Sequence, residues 1–261
     1  MSVMKTLTRD AGEGHYARKQ LLSKDRLIAW SHRRRFETGL RLARPLAAGR
    51  RVLDYGCGDG TFLALLAGGR PAPAGAVGAE AGAELVEDCR RRHGARQPLR
   101  FVHADELDAP EHRAGYDLVV CMEVLEHVVG PERLIERLAA LVAPGGRLLA
   151  SVPVETGLPL VLKQAVRRVA GWRGIGDYPG TAPYTAGELL RGVFAGPRQH
   201  LARPVYETPA GRPFHDHKGF NWMFVRGLLA RHLAVERTLG SPLLWLPPHL
   251  GSQAWFLARK R

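Results

Sequence analysis

Three cysteines in 261 residues are too few for a disulfide framework, and none stands in a Cys-x-x-Cys pair, so the thiols are expected to be reduced. No apolar run approaches the ~20 residues of a membrane span, and no N-terminal stretch is long enough for a signal peptide. The expectation is therefore a cytoplasmic protein. Acids are scarce beside bases, 25 against 38, which gives a net charge of +13 and a pI near 10.4. A surplus of that size admits a polyanion or an anionic membrane surface as partner. The arginines are spread along the whole chain, however, which favours solvated helix faces. Also absent is the third glycine of a dinucleotide fingerprint. In Gly56-x-Gly58 the position three residues on is Thr61, which disfavours a nicotinamide-dependent oxidoreductase.

What is present is organised around residues 51–61. An apolar run ends in Asp54, and Gly56, Gly58 and Gly60 follow at every second position, with Cys57 between the first two. A buried strand that turns at once into a helix beside a ligand needs this pattern. Glycines leave no β-carbons between backbone and ligand, and the helix opening near Thr61 presents free amides. The bland alternative is a tight turn and nothing more. An acid two residues before the first glycine suits the ammonium end of an amino-acid cofactor.

Hydrophobic content of 45% supplies a normal core. Residues 1–12 read as loose and residues 15–46 as a helix with an apolar stripe, a lid or a packing helix, within an N-terminal segment of residues 1–48. Residues 49–261 then form one domain. Strands are expected over 51–55, 76–80, 99–103, 116–121 and 147–152, with helices over 61–67, 83–93 and 131–142. Such alternation predicts a parallel, doubly wound α/β sheet with ligands at the carboxyl ends of its strands. Asp54, Glu80, Asp105 with Glu106 beside it, and Met122 fall there. Glu80 lies about twenty residues past the turn, where a carboxylate can accept both hydroxyls of a ribose.

In order and spacing, Asp54-x-Gly56-x-Gly58-x-Gly60, Glu80, Asp105, the 117–121 strand and Pro144-Gly145-Gly146 resemble the class I S-adenosylmethionine-dependent methyltransferases. The resemblance implies a Rossmann-like seven-stranded sheet whose last strand is antiparallel, the last two strands being 233–238 and 254–259. It also implies that Asp54 and the glycines hold the methionine part of the cofactor, Glu80 its ribose and Asp105 its adenine.

Directly after the fourth strand stands Met122-Glu123-Val124-Leu125-Glu126-His127-Val128. If it opens a helix, Glu123, Glu126 and His127 share one face, at i, i+3 and i+4. They can bind a divalent cation, or His127 can act as a general base. Far along the chain, His215, Asp216 and His217 precede Phe220-Asn221-Trp222. The two segments together resemble the metal-dependent small-RNA 3′-terminal ribose 2′-O-methyltransferases and, more loosely, the ubiquinone-pathway O-methyltransferases. That likeness implies magnesium or manganese on Glu123, Glu126, His127 and His217. Gly219 is an extra residue and Asn221 replaces a glutamate of the RNA pattern. Without a metal, His127, His215 or His217 is the candidate base.

Residues 155–231 form an insert expected to build the substrate pocket. Within it, 158–172 is apolar with Lys163, Arg167 and Arg168 at near-helical spacing, a lid or a surface for peripheral membrane contact. Trp172, Tyr178, Tyr184, Tyr206, Phe214 and Trp222 line a pocket or fill a core, and 174–183 reads as a gate. The expected activity is O-methylation of a small-molecule hydroxyl on a sugar, polyol or phenolic diol. The competing readings are an RNA-terminus methyltransferase, an N-methyltransferase and a non-catalytic binding protein.

Overall fold

The computed structural model describes residue 14 and residues 26–96, 98–172, 182–208 and 211–261. The loose N-terminus, the first part of the expected N-terminal helix and nearly all of the expected 174–183 gate, with Tyr178, lie outside these residues. Helix α1 (Arg26–Ala47) leads into β1 (Arg51–Tyr55), α2 (Thr61–Ala67), β2 (Gly75–Glu80), α3 (Ala83–His93), β3 (Leu99–His103) and β4 (Tyr116–Met122). Then come α4 (Pro131–Leu141), β5 (Val142–Pro153), α5 (Gly157–Trp172), α6 (Ala186–Val193), β6 (Val205–Glu207), β7 (Pro213–His215), α7 (Trp222–His232), β8 (Ala234–Ser241) and β9 (Gln253–Arg259).

Seven strands form one sheet in the order β3-β2-β1-β4-β5-β9-β8, with the last strand of the chain antiparallel. The fold is the Rossmann-like doubly wound α/β sheet that the alternation of elements predicts. A separate two-stranded antiparallel ribbon, β6 with β7, lies within the insert. β1 pairs in parallel with β2 and β4, and β2 with β3. Val52, Leu53, Leu118, Val119 and Val120 are fully buried. Parallel strands covered on both faces read as continuous apolar runs, which is why these elements are legible. The fifth strand is longer than expected. It starts at Val142 and runs through Pro144-Gly145-Gly146 because Gly145 takes φ +75° and the Gly146 carbonyl accepts the Lys260 amide at 2.9 Å.

The chain forms two compact units. One comprises residues up to Met122 with Leu138–Leu149 and Arg259–Arg261; the other comprises Glu123–Arg137 and Ala150–Ala258. In the second unit α7 is closed at its start by Asn221. Its Oδ1 accepts the amides of Met223 and Phe224 at 3.1 and 3.4 Å, and its Nδ2 donates to the carbonyls of Gly196 and Gln199, each at 2.9 Å. Asn221→Ala removes all four contacts and is expected to cost about 2 kcal/mol of stability, to be read from urea melts.

Candidate active site

In the first unit β1 ends at Asp54 and Tyr55 and the chain turns at once. Gly56, Gly58 and Gly60 take φ of +72°, +56° and +72°. At Gly60 the requirement for glycine is double, since a β-carbon there would lie 2.8 Å from the Phe101 ring. Asp59 closes the turn by accepting the Thr61 amide at 3.1 Å. Glu80, at the tip of β2, accepts the Gly58 amide on Oε2 at 2.9 Å and the Ala81 amide on Oε1 at 2.7 Å. Each of those oxygens retains a second lone pair for a ligand hydroxyl.

Asp54 is 2% exposed, and its Oδ2 has no hydrogen-bond partner. Burial, and secondarily the Glu80 carboxylate, push its pKa up to about 7. A buried carboxylate without a partner is costly, and a cationic group set beside it removes that cost. Glycines at positive φ, a strand-tip acid with spare lone pairs and a buried acid fit the amino-acid and ribose ends of S-adenosylmethionine. The pKa has a consequence for the protein alone. Because the folded state holds the Asp54 proton more tightly than the unfolded chain, stability is fullest below pH 3.8 as far as this group is concerned. It falls as pH rises towards about 7. Asp54→Asn is expected to remove this slope, up to about 1.4 kcal/mol per pH unit, in urea melts between pH 5 and 7.5.

The other acids at these strand tips differ. Asp105 is 80% exposed, on the turn Ala104–Asp108, and open to a ligand. Glu106 is turned back on the protein, accepting the His103 amide at 2.7 Å and pairing with Arg90 at 3.4 Å. Met122 ends β4 half-buried. Cys57 packs beneath the turn as a neutral thiol. Its contact with Cys89, and then burial, raise its pKa well above the usual thiol range. None of the three cysteines is in a disulfide.

In the second unit the segment after β4 is not the helix expected. Glu123 takes φ +54°, its amide donates to the Ser151 carbonyl at 3.0 Å, and the His127 amide closes a tight turn on Val124 at 2.9 Å. Helix α4 begins only at Pro131. The shared helical face therefore does not exist. Two of its three residues nevertheless meet the later histidine by tertiary packing. A carboxylate oxygen of Glu126 and one ring nitrogen each of His127 and His217 lie within 4.8 Å of one another. Glu123 stands outside that group, its Oε1 accepting the Ser151 hydroxyl at 3.0 Å.

The tautomer of His127 follows from its partner. Nδ1 lies 2.9 Å from the His215 carbonyl, which can only accept, so the proton is on Nδ1. Nε2 lies 3.9 Å from Glu126 Oε1. His217 is held down to about 4, first by burial, then as a balance of neighbours in which Glu155 opposes that fall, so its ring is neutral near pH 7. His215 is committed to the Pro204 carbonyl at 2.7 Å and contributes its own backbone to His127 instead of its ring.

Residues 28–193, well over half of the chain, match the family described as a methyltransferase domain. The chain belongs to that family. Its domain is of the class I S-adenosylmethionine-dependent methyltransferase type. Over 98 residues it is 40% identical to the ubiquinone biosynthesis O-methyltransferase of Bordetella avium, covering 38% of this chain and 40% of the relative. Over 112 residues it is 35% identical to the protein of that name from Klebsiella pneumoniae, covering 42% and 45%. The matched segment thus spans less than half the length of these curated relatives. In fold it is similar to a protein of Pyrococcus horikoshii, with a TM-score of 0.58 at 15% identity over 96% of this chain and all of that one. It is also similar to the N-methyltransferase NodS of Bradyrhizobium japonicum, solved with S-adenosyl-L-homocysteine, with a TM-score of 0.54 at 15% identity over 98% and 97%.

Around the histidine cluster stand side chains that sequence reasoning did not single out. Glu155 is 1% exposed, receives Lys163 at 2.9 Å and Arg167 at 3.3 Å, and lies 3.9 Å from His217 Nδ1. It stands two residues past the end of β5, near the carboxyl end of a strand as Asp54 and Glu80 are. Lys163 and Arg167 thus point inward, whereas their spacing was equally consistent with an outward basic face. Arg203 donates to the backbone carbonyls of Glu126 and Asp216, the latter at 2.7 Å, and packs over the Phe220 ring, tying the turn to the ribbon that carries His217. No sequence signal marks Arg203 among so many arginines.

Proposed function

We propose that this methyltransferase transfers the methyl group to a hydroxyl of a small molecule, a sugar, polyol or phenolic diol. In this reading a divalent cation, magnesium or manganese, is held by Glu126, His127 and His217. The observation that carries it is the meeting of one carboxylate oxygen and two imidazole nitrogens within 4.8 Å, a mixed donor set suited to such a cation. The likeness to ubiquinone biosynthesis O-methyltransferases favours oxygen over nitrogen as acceptor. Asn221, spent on the α7 cap, weighs against the RNA-terminus alternative, whose pattern has a glutamate there.

In this reading Asp54 and the Gly56–Gly60 turn take the amino-acid end of the cofactor, Glu80 the ribose and Asp105 the adenine, with Met122 at the strand tip beside them. When bound, S-adenosylmethionine supplies a methyl group on a cationic sulfur, and the cation supplies positive charge that makes a neighbouring hydroxyl more acidic. The residues do the rest. His127 presents Nε2, its ring oriented by the His215 carbonyl. His217, neutral at physiological pH, has one lone pair to give, to the cation in this reading or, without a metal, to the hydroxyl proton. Glu155 and Ser151 position His217 and Glu123. The test is transfer of labelled methyl from S-adenosylmethionine to a panel of catechols, polyols, sugars and amines. Methyl ethers are the expected products. Incorporation confined to amines would overturn the assignment.

A further inference from the structure

Helix α5 is amphipathic the wrong way round for a helix packed on its own domain. At 100° per residue, positions 158, 161, 162, 165 and 166 fall within an arc of roughly 140°. All five are exposed, Leu158, Leu162 and Val166 by 57%, 58% and 53%. The opposite side carries fully buried Leu160 together with Lys163 and Arg167, both drawn inward to Glu155. The cations are inside and the aliphatic side chains outside. An ordinary surface helix turns its apolar stripe to the core.

The elements packed against α5 continue the pattern. α6 contacts it closely enough that a β-carbon on Gly192 would lie 2.7 Å from Leu160 Cδ2. Leu190 within that helix and Phe194 just beyond its end are exposed, Phe194 by 78%. The turn Pro248–Leu250 also packs on α5, and it closes a loop bearing Leu243 and Trp245, Trp245 again 78% exposed. Large apolar side chains exposed on three elements packed on one another mark an interaction surface.

Charge decides the occupant. Residues 157–172 and 242–250 contain no acid, and Glu188, the acid of α6, is held by Lys218 at 3.0 Å. The exposed charges on and beside these elements are cationic: Arg168, Arg191 and Arg198. A second copy of a chain of net charge +13 would bring like-charged rims together. No helix among the described residues is long and apolar enough to cross a membrane. We propose that the outward face of α5, with Phe194 and Trp245, docks on an anionic lipid bilayer, the apolar side chains entering the interface and the arginines meeting lipid phosphates.

The test is co-sedimentation of the full chain with phosphatidylcholine vesicles, with and without phosphatidylglycerol. Binding is expected to need phosphatidylglycerol, to weaken with salt and to fall roughly tenfold in Leu162→Ser/Val166→Ser and again in Trp245→Ser. Thermal melts close to wild type show that these exposed substitutions leave the fold intact. Absence of vesicle binding overturns the proposal, as does equal binding by wild type and both variants. A salt-insensitive dimer abolished by the double variant, without lipid binding, assigns the face to a second copy instead.

Discussion

Glu80→Ala is expected to weaken S-adenosylhomocysteine binding about a hundredfold while leaving the fold intact. The carboxylate has two tasks at once. It fixes the glycine turn by accepting the amides of Gly58 and Ala81, and its remaining lone pairs face the end of the sheet where ligands of doubly wound folds bind. Alanine leaves the Gly58 amide without its acceptor and removes the charged partner of the ribose hydroxyls together. Glu80→Gln keeps one carbonyl oxygen for the amide but loses the charge, and a drop of roughly tenfold is expected. Calorimetric titration reads both. A change below about threefold in the alanine variant would remove Glu80 from the cofactor site.

The second large effect concerns the cation. EDTA is expected to lower methyl transfer by about a hundredfold or more, with recovery on adding magnesium or manganese. Glu126→Gln and His217→Ala are each expected to abolish that recovery while leaving S-adenosylhomocysteine affinity within about twofold. The reason is that neither residue is among those assigned to the cofactor. Glu126 and His217 belong to the unit of Glu123–Arg137 and Ala150–Ala258, and the glycine turn belongs to the other. If instead His217 acts alone as base, EDTA leaves the wild-type rate unchanged and only the substitution lowers it. The two outcomes separate a metal-assisted reaction from general-base catalysis with the same residues.

Much of this was legible in the chain because buried parallel strands leave an unambiguous mark. Val52-Leu53 and Leu118-Val119-Val120 are apolar on both faces, and an acid or a glycine follows each strand at its ligand end. The segment from Glu123 to His127 was not legible. Five residues with polar groups at i, i+3 and i+4 fit a helix and a tight turn equally well. The positive φ of Glu123 is set by pairing with Ser151, far along the chain. Glu126 and His127 still meet His217, through contacts such as Arg203 to the Glu126 carbonyl that no local pattern encodes. Direction also escapes periodicity. The spacing of Lys163 and Arg167 reveals a common face, but only the buried Glu155 tells that this face points inward. Asn221 illustrates the opposite case. A polar residue directly before Trp-Met-Phe is a plain helix-start signal, obscured by reading it only as a departure from the RNA pattern's glutamate.

The most direct test of the central claim is a crystal structure of the protein with S-adenosylhomocysteine. The ribose hydroxyls should lie within hydrogen-bond distance of the Glu80 carboxylate, and the amino-acid end of the ligand should lie against Gly56 and Gly58 with its ammonium beside Asp54. A ligand bound elsewhere, with Asp54 still without a partner, would contradict the account.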